Sequence, residues 1–234
     1  MINSIPTIEE QREDFLLSIT HDLKNPNIAQ INSLKYLLCG SLGEIPNKQK
    51  EVLNLLLESC LYTQSLLSTL LITYKENYGE IIYHFEKTSF VELAKEAIAE
   101  IYYLAQNNNN KINFVADNVD ILLNIDEIQI RRVIMNLLSN AIKYSFSNTD
   151  INIFIYLKDN KLYFELQNES PYIEKEKQVN LFKKFVSYAK SYKKIGTGLG
   201  LYSAKKIILA HKGDIYLISK KNNTNIFGFY IPIK

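Results

Sequence analysis

Two long helical patterns, joined by a short turn-rich connector, place the strongest constraint on how this 234-residue chain can fold. The first pattern covers about residues 7–39, and glycines and a proline mark residues 40–46 as the connector. The second, over residues 53–74, repeats mostly apolar positions at alternating spacings of four and three, which is typical of a helical-bundle seam. We therefore predict an antiparallel helical hairpin over residues 1–77.

Additional leucines widen the apolar stripe of the second helix beyond what one partner helix can cover. A single hairpin would leave much of that stripe in water, so we expect two copies to pair into a four-helix bundle as a homodimer. The alternative is that the stripe packs against the rest of the same chain.

The pattern changes near residues 74–79, and residues 78–234 alternate between short strands and helices. Residues 168–197 are polar, rich in lysine and without a clear period, so we expect a functional loop there. Helices gathered on one face of a mixed sheet predict an α/β sandwich, and the whole chain an α+β fold. The strands are predicted at 81–85, 112–115, 121–124, 151–157, 162–166, 214–219 and 226–233, and the helices at 90–105, 126–143 and 200–211.

Composition is that of an ordinary globular protein, with 47% apolar and 22% charged residues. A net charge of +2 favours neither nucleic-acid nor membrane binding. No apolar run approaches the roughly 20 residues that span a bilayer, so we expect no membrane segment in this chain. The two cysteines, Cys39 and Cys60, are expected to be reduced thiols and not a disulfide or a metal site, which favours a cytoplasmic location.

The first helix contains the segment Ser18–Pro26, in which an acid follows a histidine directly. The neighbouring apolar residues turn His21 and Asp22 mostly off the buried face, and the pattern resumes beyond Pro26, so we predict a helix that continues through the proline. A lone histidine on a helix is usually a solvated surface residue. The run His21-Asp-Leu-Lys-Asn25-Pro, however, resembles the phospho-acceptor box of sensor histidine kinases.

A second motif lies in the helix predicted to begin after Asp126. Asn136 and Asn140 are four residues apart on one helical face, with Lys143 on the same side. Two neutral oxygen donors beside a cation suit a Mg²⁺ ion bridged to phosphates, although a solvated polar face is the alternative.

This second motif resembles the N-box of the histidine-kinase ATP domain, a fold shared with DNA gyrase, a heat-shock chaperone and mismatch-repair ATPases. The resemblance implies that Asn140 binds Mg²⁺ with help from Asn136, that Lys143 meets phosphate and that Tyr144 packs beside the base. ATP-hydrolysing members carry a glutamate where this chain has Asn136, which cannot act as a general base. The difference favours a kinase over a chaperone-like ATPase.

A glycine-rich segment precedes the last predicted helix. Alternate glycines allow positive φ and close approach to a ligand, and a helix start favours phosphate. The segment resembles the G2 box of these kinases, and Phe182 with its neighbours resembles their F-box, although Phe182 could simply anchor the lid to the core. The G2-type residues are Gly196, Thr197, Gly198, Leu199 and Gly200.

The stretch Asn168–Ile173 departs from the family pattern, which reads Asp-x-Gly-x-Gly-Ile and recognises the adenine amine through its aspartate. The carboxamide oxygen of Asn168 can accept from that amine, without the charge of a carboxylate. Ser170 and Tyr172 replace glycines and add side chains near the expected base, while Ile173 matches the family residue.

Together these resemblances imply a dimeric histidine kinase core that uses ATP and Mg²⁺ to phosphorylate His21 and then passes the phosphoryl group to a response-regulator receiver domain. Asp22 would orient the imidazole, and Asn25 matches the position that orients water in members that also act as phosphatases. We expect the regulator to dock near His21, over Leu23, Asn27 and the second helix. The alternatives are a degenerate signalling scaffold that does not use ATP, and a superfamily ATPase.

Overall fold

The computed structural model describes residues 8–40, 42–77, 82–117, 122–184, 186 and 198–233. The chain divides into two compact units, a helical unit through Ile82 and an α/β unit from Tyr83 onward. The predicted order, with helices first and a mixed α/β sandwich second, is confirmed. None of the helices in these described ranges combines the length and apolarity needed to cross a bilayer.

The helical unit consists of α1, Ile8–Leu38, and α2, Asn47–Asn77. Helix α1 continues through Pro26, as the resumed apolar pattern predicts. The connector is only eight residues long, residues 39–46, so the two contacting helices must run antiparallel. Ile31 and Leu67 are buried in this hairpin.

Much of the hairpin's apolar surface remains exposed in one chain. Leu55 of α2 has 63% of its surface exposed, and Leu23 of α1 has 51%. Asn27 is buried, so the prediction that it contributes to a regulator-docking surface is wrong for the single hairpin. The error arises because Asn27 lies on the face of α1 that the hairpin covers.

The α/β unit contains a five-stranded sheet in the order β2-β4-β5-β7-β6, in which only β2 and β4 are parallel. Helices α3, α4 and α6 supply the apolar residues that bury one face of this sheet. A separate antiparallel pair joins β1 to β3. The elements are β1 Glu86–Ser89, α3 Phe90–Asn107, β2 Lys111–Ala116, β3 Leu122–Ile125, α4 Glu127–Tyr144, β4 Asp150–Lys158, β5 Lys161–Glu169, α5 Lys175–Asn180, α6 Gly200–Ala210, β6 Asp214–Ser219 and β7 Thr224–Pro232.

Side-chain caps start two of these helices. The Ser89 hydroxyl accepts the Glu92 N–H at the start of α3, and the Asp126 carboxylate accepts the Gln129 N–H at the start of α4. Such caps satisfy donors that the first turn leaves open. The hydrophobic core contains a fully buried aromatic cluster of Phe90, Phe164 and Phe229. The ring centroids of Phe164 and Phe229 lie 5.1 Å apart.

The predicted strand over residues 81–85 is wrong for residues 82–85, and Ile81 lies outside the described residues. The strand begins later, at Glu86, where β3 supplies a backbone partner. The His84 N–H instead donates to the Asp126 carboxylate at 3.0 Å, and the Tyr83 and Phe85 rings contact His211. The alternating pattern of Tyr83 and Phe85 therefore reflects packing of their rings against His211 and not hydrogen-bonded pairing with another strand.

The expectation of an irregular segment over residues 168–197 also needs correction. Strand β5 extends to Glu169, and α5 forms a helix of six residues. A helix so short contains too few residues for an apolar period to emerge from the sequence.

On the face of the sheet opposite the helices, Gly228 lies beneath the ring of Tyr216. A Cβ at Gly228 would come within 2.6 Å of that ring. The missing side chain lets the Tyr216 hydroxyl reach the Glu165 carboxylate and donate to it at 2.6 Å. Burial raises the pKa of Tyr216 above its ordinary value, so the hydroxyl keeps its proton.

Candidate functional site

Helix α4 presents two stacked carboxamides. Asn136 and Asn140 lie one turn apart, both half-buried, and the Asn140 Nδ2 lies 3.5 Å from the Asn136 Oδ1. Because the Asn140 amine points to its neighbour, its Oδ1 is available to another ligand. Lys143 follows one turn later, with its ammonium 5.4 Å from the centroid of the Tyr144 ring.

The start of α6 closes on these carboxamides. A Cβ at Gly200 would lie 2.3 Å from the Asn136 Oδ1, so only a glycine leaves the room that the Asn136 side chain occupies. Two residues earlier, Gly198 has φ of +69°, a conformation that favours glycine. The N-cap residue Leu199 is apolar and makes no side-chain cap bond to the first turn of α6. A helix start of this kind suits an anion.

Asn168 lies buried near the end of β5, with 1% of its surface exposed. Its Nδ2 donates to the Ser145 Oγ at 3.0 Å, directly beyond the end of α4. Its Oδ1 is buried and has no hydrogen-bond partner within the part of the chain that the structure describes. A buried unpaired acceptor costs about 1–3 kcal/mol, which a donor on a bound ligand would offset.

The stretch that replaces the expected glycines is held by a buried residue of β7. The Asn225 Nδ2 lies 2.6 Å from the Ser170 Oγ and 3.1 Å from the carbonyl oxygens of Ser170 and Pro171. The Ser170 side chain is therefore turned toward β7. Ile173 is fixed separately, since its N–H donates to the Ser219 Oγ at 2.8 Å.

These features coincide with a match to known proteins. Residues 125–234 match the family described as histidine kinase-, DNA gyrase B- and HSP90-like ATPases. The chain is 31% identical over 229 residues to the sensor protein KdpD of Clostridium acetobutylicum, covering 96% of this chain and 25% of that protein.

Solved structures agree. The catalytic domain of histidine kinase ThkA superposes with a TM-score of 0.58 at 29% identity, covering 64% of this chain and 96% of that one. The second unit is an ATPase domain of the histidine kinase type. ThkA in complex with the response regulator protein TrrA gives a TM-score of 0.66 at 22% identity, covering all of this chain and 69% of that one, which extends the likeness in fold to the helical hairpin.

The resemblance read from the sequence motifs is thus confirmed for the ATPase domain. The chain spans about a quarter of the length of KdpD, and the roles of individual residues stay predictions. Among the G2-type residues, Gly198, Leu199 and Gly200 are described, whereas Gly196 and Thr197 lie outside the described residues.

Phe182 of the kinase-type domain is partly buried and packs against the edge of the core. The Lys205 ammonium lies 5.9 Å from its ring centroid. These contacts favour the alternative in which Phe182 anchors the segment that follows α5.

The phospho-acceptor-type residues all lie in α1 of the helical unit. Asp22 and Asn25 are exposed and lie three positions apart on the helix. The side chain of His21 lies outside the described part of the structure.

His211 connects three segments of the kinase-type domain. Its Nδ1–H donates to the Ile207 carbonyl at 2.7 Å, and its Nε2 accepts the Asp126 N–H at 2.9 Å, so both bonds require the neutral ring. Burial lowers the pKa of His211 below its ordinary value. Since it lies at the opposite end of α6 from Gly200, we assign it a structural role.

Sequence reasoning missed Ser145 and Asn225. Ser145 directly follows Tyr144, and its proximity to the site in sequence was the available signal. Asn225 lies beside Thr224 at the polar start of β7, and its partner Asn168 lies on another strand, far away in the sequence.

Proposed function

We propose that this chain is the core of a cytoplasmic two-component histidine kinase that uses ATP to phosphorylate itself on His21. The observation that carries the proposal is the buried, unpaired Oδ1 of Asn168, beside the α4 helix that bears Asn136 and Asn140. An acceptor in that position suits the exocyclic amine of adenine. The start of α6, directly after the positive-φ Gly198, offers a helix N-terminus whose dipole favours phosphate.

The donor set fits a magnesium ion. The Asn140 Oδ1 would bind it, with Asn136 holding Asn140 in place and Lys143 neutralising phosphate charge. Bound Mg²⁺ would neutralise the negative charge of the phosphates during transfer. Asn136 lacks the basic carboxylate needed to activate water, which favours transfer to a side chain over hydrolysis.

The proposed transfer joins a neutral ring nitrogen of His21 to the γ-phosphorus, while the bond from that phosphorus to the bridging oxygen breaks and ADP leaves. Asp22 would accept a hydrogen bond from the other ring nitrogen and fix the tautomer. Catalysis would then consist mostly of positioning and charge neutralisation.

We infer that the phosphoryl group passes next to an aspartate of a response-regulator receiver domain. The complex of ThkA with its response regulator supports this partner class. The chain would act as a homodimer, since the exposed Val52, Leu55 and Leu56 of α2 form an apolar surface suited to a second hairpin.

The test is incubation of the purified chain with γ-labelled ATP and Mg²⁺. We expect acid-labile label on the wild type and none on His21→Gln. His84→Gln is the matched control, because His84 is an exposed histidine of the other unit and its replacement should leave the labelling intact.

The other outcomes identify the alternatives. Release of free phosphate without labelled protein would favour the superfamily ATPase, and absence of nucleotide binding would favour the scaffold, which the replaced glycines at Ser170 and Tyr172 motivate. Dephosphorylation of the regulator is tested separately. If Asn25 orients water, Asn25→Ala loses phosphatase activity but keeps autophosphorylation, and full phosphatase activity in that variant would exclude the role.

A further inference from the structure

The hydroxyl of Ser145 has only one orientation available to it. Ser145 follows the last residue of α4, and its Oγ lies 2.7 Å from the Ala141 carbonyl oxygen. Two oxygens this close require a proton between them, and the carbonyl has none to give. The Ser145 proton is therefore directed at Ala141, and the Oγ presents only lone pairs in other directions.

This orientation determines how the Asn168 carboxamide is turned. The group that faces the Ser145 Oγ at 3.0 Å must be a donor, so it is the amine and not the carbonyl. A half-turn of the amide would place two acceptors against each other and lose the bond. The chain of hydrogen bonds from Asn168 through Ser145 to Ala141 thus holds the Asn168 Oδ1 on the opposite side, where it is buried and unpaired.

We propose that Ser145 is a specificity-determining residue that selects an amino-substituted purine over one with a carbonyl at the same position. A carboxylate would need no such help, because both of its oxygens accept. A carboxamide accepts at one end and donates at the other, so its preference depends on which end is presented. This inference rests on the proposed ATP site and adds the residue that orients its base contact.

Inosine triphosphate is the sharpest probe, because it replaces the 6-amino group of ATP by a carbonyl oxygen and keeps the sugar and phosphates. Binding of each nucleotide with Mg²⁺ is measured by calorimetry on the full chain. We expect the wild type to bind ATP more tightly than inosine triphosphate. In Ser145→Ala the ratio of these two affinities should fall roughly tenfold, because the Asn168 amide becomes free to turn. Ser145→Thr keeps the hydroxyl and should keep the preference.

A double-mutant comparison separates orientation from simple packing. In an Asn168→Asp background, Ser145→Ala should leave the ratio of ATP to inosine triphosphate affinity unchanged, because a carboxylate accepts with either oxygen. Thermal unfolding of each variant checks that the domain remains folded.

An unchanged ratio in Ser145→Ala, or an equal loss of affinity for both nucleotides, would overturn the role of Ser145 while leaving the ATP site standing. A wild type that binds neither nucleotide would overturn the proposed site itself, and this inference with it.

Discussion

Gly200→Ala tests whether the start of α6 positions the face of α4 that we propose binds the metal. The new Cβ would lie 2.3 Å from the Asn136 Oδ1 and 2.9 Å from both Cγ and Nδ2. Non-bonded heavy atoms prefer about 3.5–4.0 Å, so the Asn136 carboxamide must move by roughly 1 Å. The 3.5 Å contact with Asn140 is already at the limit of a hydrogen bond and would be lost.

The effect on stability should be small and the effect on binding large. Asn136 is half-buried and can turn toward solvent, so we expect the free energy of unfolding to fall by no more than about 1 kcal/mol, at the low end of overpacking costs. Groups that orient a metal ligand typically change affinity by about 10- to 100-fold when displaced, and we expect a loss of that size for MgATP.

Calorimetric titration with MgATP measures the loss, and denaturant unfolding measures stability. The same substitution in an Asn136→Ala background is the control, since removal of the obstructed side chain should abolish the effect of Gly200→Ala on binding. Wild-type affinity in the single variant, or an undiminished loss in the double variant, would refute the positioning argument.

Three further perturbations follow from described contacts. His211 has a pKa below its ordinary value of 6.5, so below about pH 6.5 the unfolded chain binds more protons than the folded one. As the pH falls through this range, the free energy of unfolding should fall by up to ~1.4 kcal/mol per pH unit until the folded pKa is reached. Denaturant titrations at several pH values should show a flatter dependence of stability on pH in His211→Gln. Leu55→Lys places a charge in the proposed dimer surface, and sedimentation should detect monomers. Gly228→Ala forces the Tyr216 ring from its position and should destabilise the chain by about 1–3 kcal/mol in thermal unfolding.

Each of these has a matched comparison. Leu122 is exposed to a similar extent, 57% against 63% for Leu55, but lies in the other unit, and Leu122→Lys should leave assembly unchanged. Tyr216→Phe keeps the ring and removes the hydroxyl with its bond to Glu165, and should cost about 1 kcal/mol. A dimer that persists in Leu55→Lys would contradict the proposed dimer surface. Stability that still depends steeply on pH in His211→Gln would contradict the role of the buried histidine. Equal losses of stability in Gly228→Ala and Tyr216→Phe would contradict the argument that Gly228 makes room for the Tyr216 ring.

Features that depend on near neighbours in the chain were predictable. The apolar period identified α1 and its continuation through Pro26, and Asp126 identified the start of α4. The same spacing placed Asn136 and Asn140 on one face. Where an apparent period had another cause the prediction failed, as for Tyr83 and Phe85, whose alternation comes from contacts with His211 in place of a strand partner.

The sequence by itself determined which residue types are available for nucleotide chemistry and the helices that carry them, because helical geometry relates residues only three or four positions apart. The tertiary structure decided what those residues touch. Gly200 is needed because Asn136 fills the space of its side chain, and Asn168 is oriented because Ser145 bonds it across 23 positions of the chain. Such contacts arise from the packing of helices and strands that are distant in sequence, and no local pattern encodes them.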